Sequence, residues 1–326
     1  MTHLSNDVRT DLLRAARSVR VDRGQVWLDG LCLGWLGPAI RGVLADALYR
    51  RWFTQAVGWL RAPPRPDPGL VARLRAAHAA SARFEPGWTA TFDRFGRLLA
   101  TRAGETRVPQ PFGYANLSRP GAPIRGGDRL ALSARRDVVD GPGGWWLATG
   151  SAGAPRGTPL VRVYWNGGAD IAAELVRRLT EALEDEGHAY TLKCPPSASL
   201  FDRVDPVVLY VDHGTWSRAK SALRAVHASI EPSLRPGTPP LTRRLGRGVA
   251  VAEDPGGSRS FGQSRAAALA AGLTALLPLG PADDDAVVDA LATALAARGI
   301  SPTRPHVGVG SVHAGDEVWS WDQTEA

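Results

Sequence analysis

The sequence predicts an α+β protein in three parts: an N-terminal helical region over residues 1–84, a small β-rich middle lobe over 85–158, and a C-terminal mixed α+β body over 159–326. Three patterns predict it. Apolar residues recur at helical spacing through the first part, short alternating runs separated by Gly and Pro fill the second, and strands and amphipathic helices mix from Pro159 onward.

The first part opens on MTHLSNDVRTDLLRAARSVRV, which carries charges every few residues and no apolar core of signal-peptide length. It reads as an amphipathic helix with Val8, Leu12, Leu13 and Ala16 inward. The apolar segment GLCLGWLGPAIRGVLADALYRRWF continues the helical pattern as far as the proline cluster APPRPDPG, a turn between helices. One more helix, GLVARLRAAHAASARF, follows. Near Pro86 the chain switches to WTATFDRFGRLLATRAG, TRVPQPFGYANL, RLALSARRDVV and GGWWLATG, which predict strands joined by irregular loops.

The third part reads as strand PLVRVYWN, helix ADIAAELVRRLTEALEDEG, strands HAYTLKC and PVVLYVD, then helices WSRAKSALRAVHASI, SRAAALAAGLTALL and DDDAVVDALATALAARG. In its first helix Ile171, Leu175, Leu179 and Ala182 share one stripe, with Arg177, Glu181, Glu184 and Asp185 off it. Such a helix covers a sheet with one face.

Composition narrows the function. Cys32 and Cys194 are the only cysteines and stand in no CxxC or Cys/His spacing, so neither a disulfide framework nor a structural zinc site is expected, and a cytoplasmic setting is. The seven histidines show no HExxH or HxH spacing, and GxSxG is absent. No stretch reaches membrane-spanning length. The net charge of +7 favours an acidic or phosphorylated partner, while the lack of an arginine-rich tail, zinc finger or aromatic RNA-binding motif argues against nucleic acid. Among 39 basic residues only Lys193 and Lys220 are lysines. A GC-rich coding bias gives the same arginine surplus, and it makes a strand lysine stand out.

Strand alternation places that lysine in company. Arg162, Tyr164 and Asn166 share one face of VRVYWN, opposite Val161, Val163 and Trp165; Lys193 shares a face with Thr191, and Tyr210 with Val208 and Asp212. If the strands are neighbours with matching faces, Arg162, Tyr164, Asn166, Lys193 and Tyr210 converge. A merely solvated face gives the same alternation. A lysine set among arginines is expected to give up its proton more readily, which suits a base. Arg203, between Asp202 and Asp205, enters the same sheet edge or forms an ordinary surface ion pair. In DPGGSRSFGQSR, Arg259 and Arg265 flank a helix start with Ser258, Ser260 and Gly262, where free N–H groups and the helix dipole favour an oxyanion such as phosphate. This is no Walker A loop, since GxxxxGK[ST] is absent. A plain serine cap with solvated arginines is the alternative. The tryptophans, Trp145 and Trp146 included, are assigned mostly to core or lobe packing by default, with a few able to line a peptide groove.

The segments VRVYWN, YTLKC, FDRVDPVVLYVD, PPLTRRLGRGVAVAEDPGGSRSFGQSR and LYRRWF resemble the Hop A-type type III effector family, whose actinobacterial members accompany aminoglycoside-phosphotransferase-like kinases in class V lanthipeptide and thioamitide pathways. The similarity is strongest over 159–270. It implies a lyase-like body that removes phosphate from phosphoserine or phosphothreonine of a precursor peptide, leaving dehydroalanine or dehydrobutyrine. By residue order it implies Lys193 as base and Tyr210 as a further catalytic residue, with Arg162, Arg203 and Arg265 around the phosphate and Arg259 in reserve. The first strand lacks the family's histidine, so the acid falls to Tyr164 or, second, to His213 at the end of a later strand. A phosphorylated precursor peptide and a separate kinase are the implied partners; no metal or cofactor is expected.

The physical demands of β-elimination fit the same inventory. The proton beside a peptide carbonyl is weakly acidic, so the base must be neutral and close. The departing phosphate gathers negative charge, which arginines and helix N–H groups stabilise. A non-catalytic peptide scaffold or kinase partner is the competing expectation. It does not need Lys193, Arg203 and Arg265 to converge.

Overall fold

The computed structural model describes residues 4–56, 64–82, 84–109, 114–133, 136–140, 144–156, 159–254, 256, 259–280, 282–308, 311 and 319–321. Helix α1 (Asn6–Arg17) starts at Ser5, whose side chain accepts from the Val8 N–H, and buries Leu12, Leu13 and Ala15. A three-stranded antiparallel sheet follows: β1 (Val19–Asp22), β2 (Gln25–Leu28) and β3 (Leu31–Trp35). Its two-residue turns, Arg23-Gly24 and Asp29-Gly30, have positive φ at all four positions, the backbone that lets tight hairpins follow strand twist. The helical reading of this stretch is thereby corrected.

Helix α2 (Ile40–Leu48) runs straight into a π-helical turn, Tyr49–Phe53. Helix α3 (Pro68–Ala77) is capped by Asp67, with Pro68 in its first turn, where a missing N–H costs nothing. The middle lobe is a five-stranded antiparallel sheet of β4 (Phe84–Phe92), β5 (Leu98–Arg102), β6 (Glu105–Arg107), β7 (Tyr114–Asn116) and β8 (Arg129–Ser133), ordered β6-β5-β4-β8-β7. Trp88, Ala90, Ala100, Leu130 and Leu132 form its own small core.

The body is built on seven antiparallel strands. These are β9 (Asp137–Asp140), β10 (Trp145–Thr149), β11 (Leu160–Trp165), β12 (Thr191–Cys194), β13 (Val207–Asp212), β14 (Arg243–Gly246) and β15 (Val249–Glu253), in the order β14-β15-β11-β13-β12-β10-β9. Strands β9 and β10, which the sequence placed in the middle lobe, hydrogen-bond into this sheet through the β10–β12 pairing. Helices α4 (Ala172–Asp185), α5 (His213–Ile230), α6 (Phe261–Leu276) and α7 (Asp284–Ala296) complete the body. The result is an α+β fold, and no helix among the described residues is long and apolar enough to cross a membrane.

The two faces of the large sheet have different fates. Val161, Val163, Trp165 and Leu209 pack with α4 and α5, including Leu175, Leu179 and Leu223. On the opposite face Tyr164, Val208 and Ala252 join Leu44, Phe53, Phe261 and Ala268 from α2, the π-turn and α6. Burying around 2 kcal/mol of apolar side chain at each such position fixes the strand faces, because a one-residue slip would send every one of them to the wrong side. The functional face is therefore roofed by the N-terminal region and α6.

Candidate functional site

Register brings the strand residues together. Arg162 pairs with Tyr210 and Tyr210 with Thr191, while Tyr164 pairs with Val208 and Val208 with Lys193. Two adjacent cross-strand rows on one face thus carry Arg162, Tyr210, Tyr164 and Lys193, and Trp145 lies on the same face two residues from Leu147, the β10 partner of Lys193. With Tyr49, Phe53, Arg203, Asp205, Ser260 and Gly262 they line a narrow cleft of about 30 Å³. That is room for a water or two, so the charged groups line a tight cleft rather than an open bowl.

The cations are held in three ways. Arg162 is buried and pairs with Asp254 at 2.6 Å, its guanidinium 5.0 Å from the centre of the Tyr210 ring. Burial opposes its charge, but Tyr164, Tyr210 and Asp254 outweigh that and hold it above the usual arginine value. Arg203 donates to Asp205, with Nη2 at 2.9 Å from Oδ2; burial again opposes its charge, and Asp205 and Tyr49 more than restore it. The Lys193 Nζ sits 4.0 Å above the Trp145 ring, and the Arg203 guanidinium lies 5.1 Å from the same ring. Trp145 therefore sets lysine and arginine side by side.

Burial lifts Tyr164 above the usual tyrosine value, partly offset by the neighbouring Arg162 guanidinium. Tyr210 is raised for the same first reason. At the far wall Ser260 caps α6 in a capping box, accepting from the Gln263 N–H while its own N–H donates to the Gln263 side chain. The N–H groups of Phe261 and Gly262 fall outside that box, at the positive end of the helix. Ser258 lies outside the described residues.

Other expected members stand elsewhere. Asn166 donates to the carbonyls of Pro236 and Gly237, past the end of β11. Arg265 is buried with its guanidinium 3.7 Å from the Phe261 ring; Nε and Nη2 donate to Pro305 O and Nη1 to Ser264 Oγ. Burial brings its pKa down to about 10. With the exposed Arg259 it lines a neighbouring cavity of about 320 Å³, which also touches Asp254. The Arg162–Asp254 pair thus stands between the two spaces. His213 is on the other side of the sheet: it begins α5 and meets Glu253 at 3.5 Å, which pairs with Val161 on the face away from Arg162, and the Trp319 ring at 5.3 Å.

Alternation found the floor of the cleft and missed its fittings. Tyr49 and Phe53 come from a segment read as plain helix, Trp145 from a strand assigned to lobe packing, and Asp205 and Asp254 from loops. Among the described residues no group of three or more His, Cys, Asp or Glu is placed to hold a metal.

Residues 142–307, just over half of the chain, match the HopA1 effector protein family. The chain belongs to that family. Two solved structures are similar to it: the effector protein from Pseudomonas syringae pv. tomato strain DC3000, at 13% identity and a TM-score of 0.52 over 93% of this chain and 99% of that one, and the effector protein from Pseudomonas syringae pv. syringae strain 61, at 14% identity and 0.51 over 94% and 99%. At that identity the likeness is one of fold. No curated protein matches the chain. The HopA1 match takes in every cleft residue from Trp145 to Gly262, whereas Tyr49 and Phe53 lie before it.

Proposed function

We propose that this HopA1-family chain is a phospholyase that β-eliminates phosphate from phosphoserine or phosphothreonine of a ribosomal precursor peptide, giving dehydroalanine or dehydrobutyrine. The observation that carries the reading is Lys193 sharing one cleft with Arg162 and Arg203. Lys193 takes the Cα proton, the electron pair becomes the Cα=Cβ bond, and the Cβ–O bond breaks toward phosphate. Arg162, Arg203 and the start of α6 supply positive charge where the leaving group gathers it. Every step uses side chains of this chain. A separate kinase, of the aminoglycoside-phosphotransferase-like type, supplies the phosphorylated peptide.

A second reading, a peptide-binding module without catalysis, draws on one observation: Arg162 and Arg203 already hold carboxylates of their own chain. Mass spectrometry of a phosphorylated Ser/Thr peptide incubated with the protein separates the two. The lyase converts it to a product lighter by phosphoric acid, and Lys193→Ala slows this by about 10²-fold or more while still binding the peptide. Binding without loss of phosphate would leave the scaffold reading standing.

A further inference from the structure

We propose that Tyr49 is the general acid that protonates the bridging oxygen of the departing phosphate, so that the N-terminal region completes an active site whose base and arginines belong to the HopA1-matched body. The proposal rests on the phospholyase reading above. Three tyrosines border the cleft, and only Tyr49 comes from its roof. Tyr164 and Tyr210 stand on the sheet floor beside Lys193, in the two cross-strand rows.

A proton donor to a leaving group needs three things: reach, a stabilised conjugate base, and a way to regain its proton. Tyr49 and Arg203 line the same cleft, and the Tyr49 hydroxyl interacts with that guanidinium, so a phosphate oxygen that reaches Arg203 comes within reach of the hydroxyl. Arg203 then faces the oxygen that has given up its proton, a charge partner across the cleft. Tyr49 is half-buried and open to solvent on one side, whereas Tyr164 is 2% exposed, with its proton held tightly by burial.

Local structure fixes the ring. The π-turn puts Tyr49 and Phe53 on one side, stacked with centroids 5.9 Å apart and planes 16° from parallel, and Phe53 in turn packs on Phe261 at 5.9 Å. Single π-turns inside helices recur at functional sites because they redirect side chains without ending the helix. In the completed step Lys193 gains the Cα proton, Tyr49 loses its hydroxyl proton to the bridging oxygen, and hydrogen phosphate leaves. Proton return from the ammonium to the tyrosinate through water resets both groups, so the atoms balance with no co-reactant.

The test compares full-length wild type, Tyr49→Phe, Tyr49→His and Tyr164→Phe on one phosphoserine peptide, reading phosphate release against pH. Expected is a fall in kcat of about 10²-fold for Tyr49→Phe, with KM changed by no more than about threefold and the alkaline decline of the wild-type profile gone. Tyr49→His restores part of the rate with its optimum moved to lower pH, which a merely structural role would not do. Wild-type kcat in Tyr49→Phe, or loss of the alkaline limb in Tyr164→Phe instead, overturns the assignment and leaves the lyase reading intact. Wild-type protein that releases no phosphate from any phosphopeptide removes both.

Discussion

Gly262, in the first turn of α6, lies so close to the ring of Phe53 that a Cβ at that position would overlap the ring carbons. The contact is between two elements of the roof, and it locks the π-turn that carries Tyr49 against the helix start that faces the cleft. Gly262→Ala therefore forces Phe53 aside at a cost of about 1–3 kcal/mol, the usual range for overpacking. Tyr49 moves with it. The expected result is a lowered melting temperature together with a fall in phosphate release, and Phe53→Leu in the same chain, which frees the space, recovers stability. Equal melting temperatures for wild type and Gly262→Ala would show that the ring yields without strain.

The Arg162–Asp254 pair makes a second prediction. Both side chains are largely buried, so removing the carboxylate leaves an uncompensated guanidinium in a poorly solvated cleft. Asp254→Ala is expected to lose about 3 kcal/mol in urea unfolding. Inorganic phosphate at ten times its Kd should return about 1.4 kcal/mol of that, because an anion bound to the native state takes the carboxylate's place. A variant equally unstable with and without phosphate would mean that Arg162 does not meet an anion.

How much of this was legible depends on the kind of signal. Alternation in VRVYWN, YTLKC and VVLYVD placed Arg162, Tyr164, Lys193 and Tyr210 on one face, and the register agrees, because buried valines on the reverse face leave the strands no freedom to slip. The β1–β3 hairpins were also there to be read in VDRGQVWLDGL, since Asp29-Gly30 is a tight-turn pair between alternating residues. What no local pattern carries is long-range placement. Trp145 reaches Lys193 only because β10 leaves the middle lobe to pair with β12, and Tyr49 arrives from about a hundred residues upstream of the strands it covers.

Buried His78 gives the protein a pH-dependent stability. Its Nε2 is 3.0 Å from the Tyr190 hydroxyl, and burial, opposed in part by Asp137 and Glu184, brings its pKa from 6.5 down to about 4. The unfolded chain then binds a proton between those values that the native state refuses. Stability from this group is complete above pH 6.5, falls as the pH drops toward 4, and levels off below, a span of about 3 kcal/mol. His78→Gln should unfold with a flatter pH dependence than wild type across that window. Parallel curves for the two proteins would contradict the assignment.

His213 supplies the last prediction, because residue order made it a candidate acid and the fold sends it elsewhere. The ring begins α5, meets the Trp319 ring edge-on at 5.3 Å and approaches Glu253 at 3.5 Å, while Glu253 accepts from the Gly308 N–H and the Ser311 hydroxyl. Glu253 pairs with Val161 across β15 and β11, on the face away from Arg162. His213 is thus separated from Lys193 by the thickness of the sheet and works as packing for Trp319, which also meets the His306 ring. His213→Asn is expected to lower the melting temperature while kcat on a phosphopeptide stays within about threefold of wild type, since a general acid would cost 10²-fold or more. A loss of that size with the fold intact would return His213 to the chemistry and place the proton donor on the opposite side of the sheet from Tyr49.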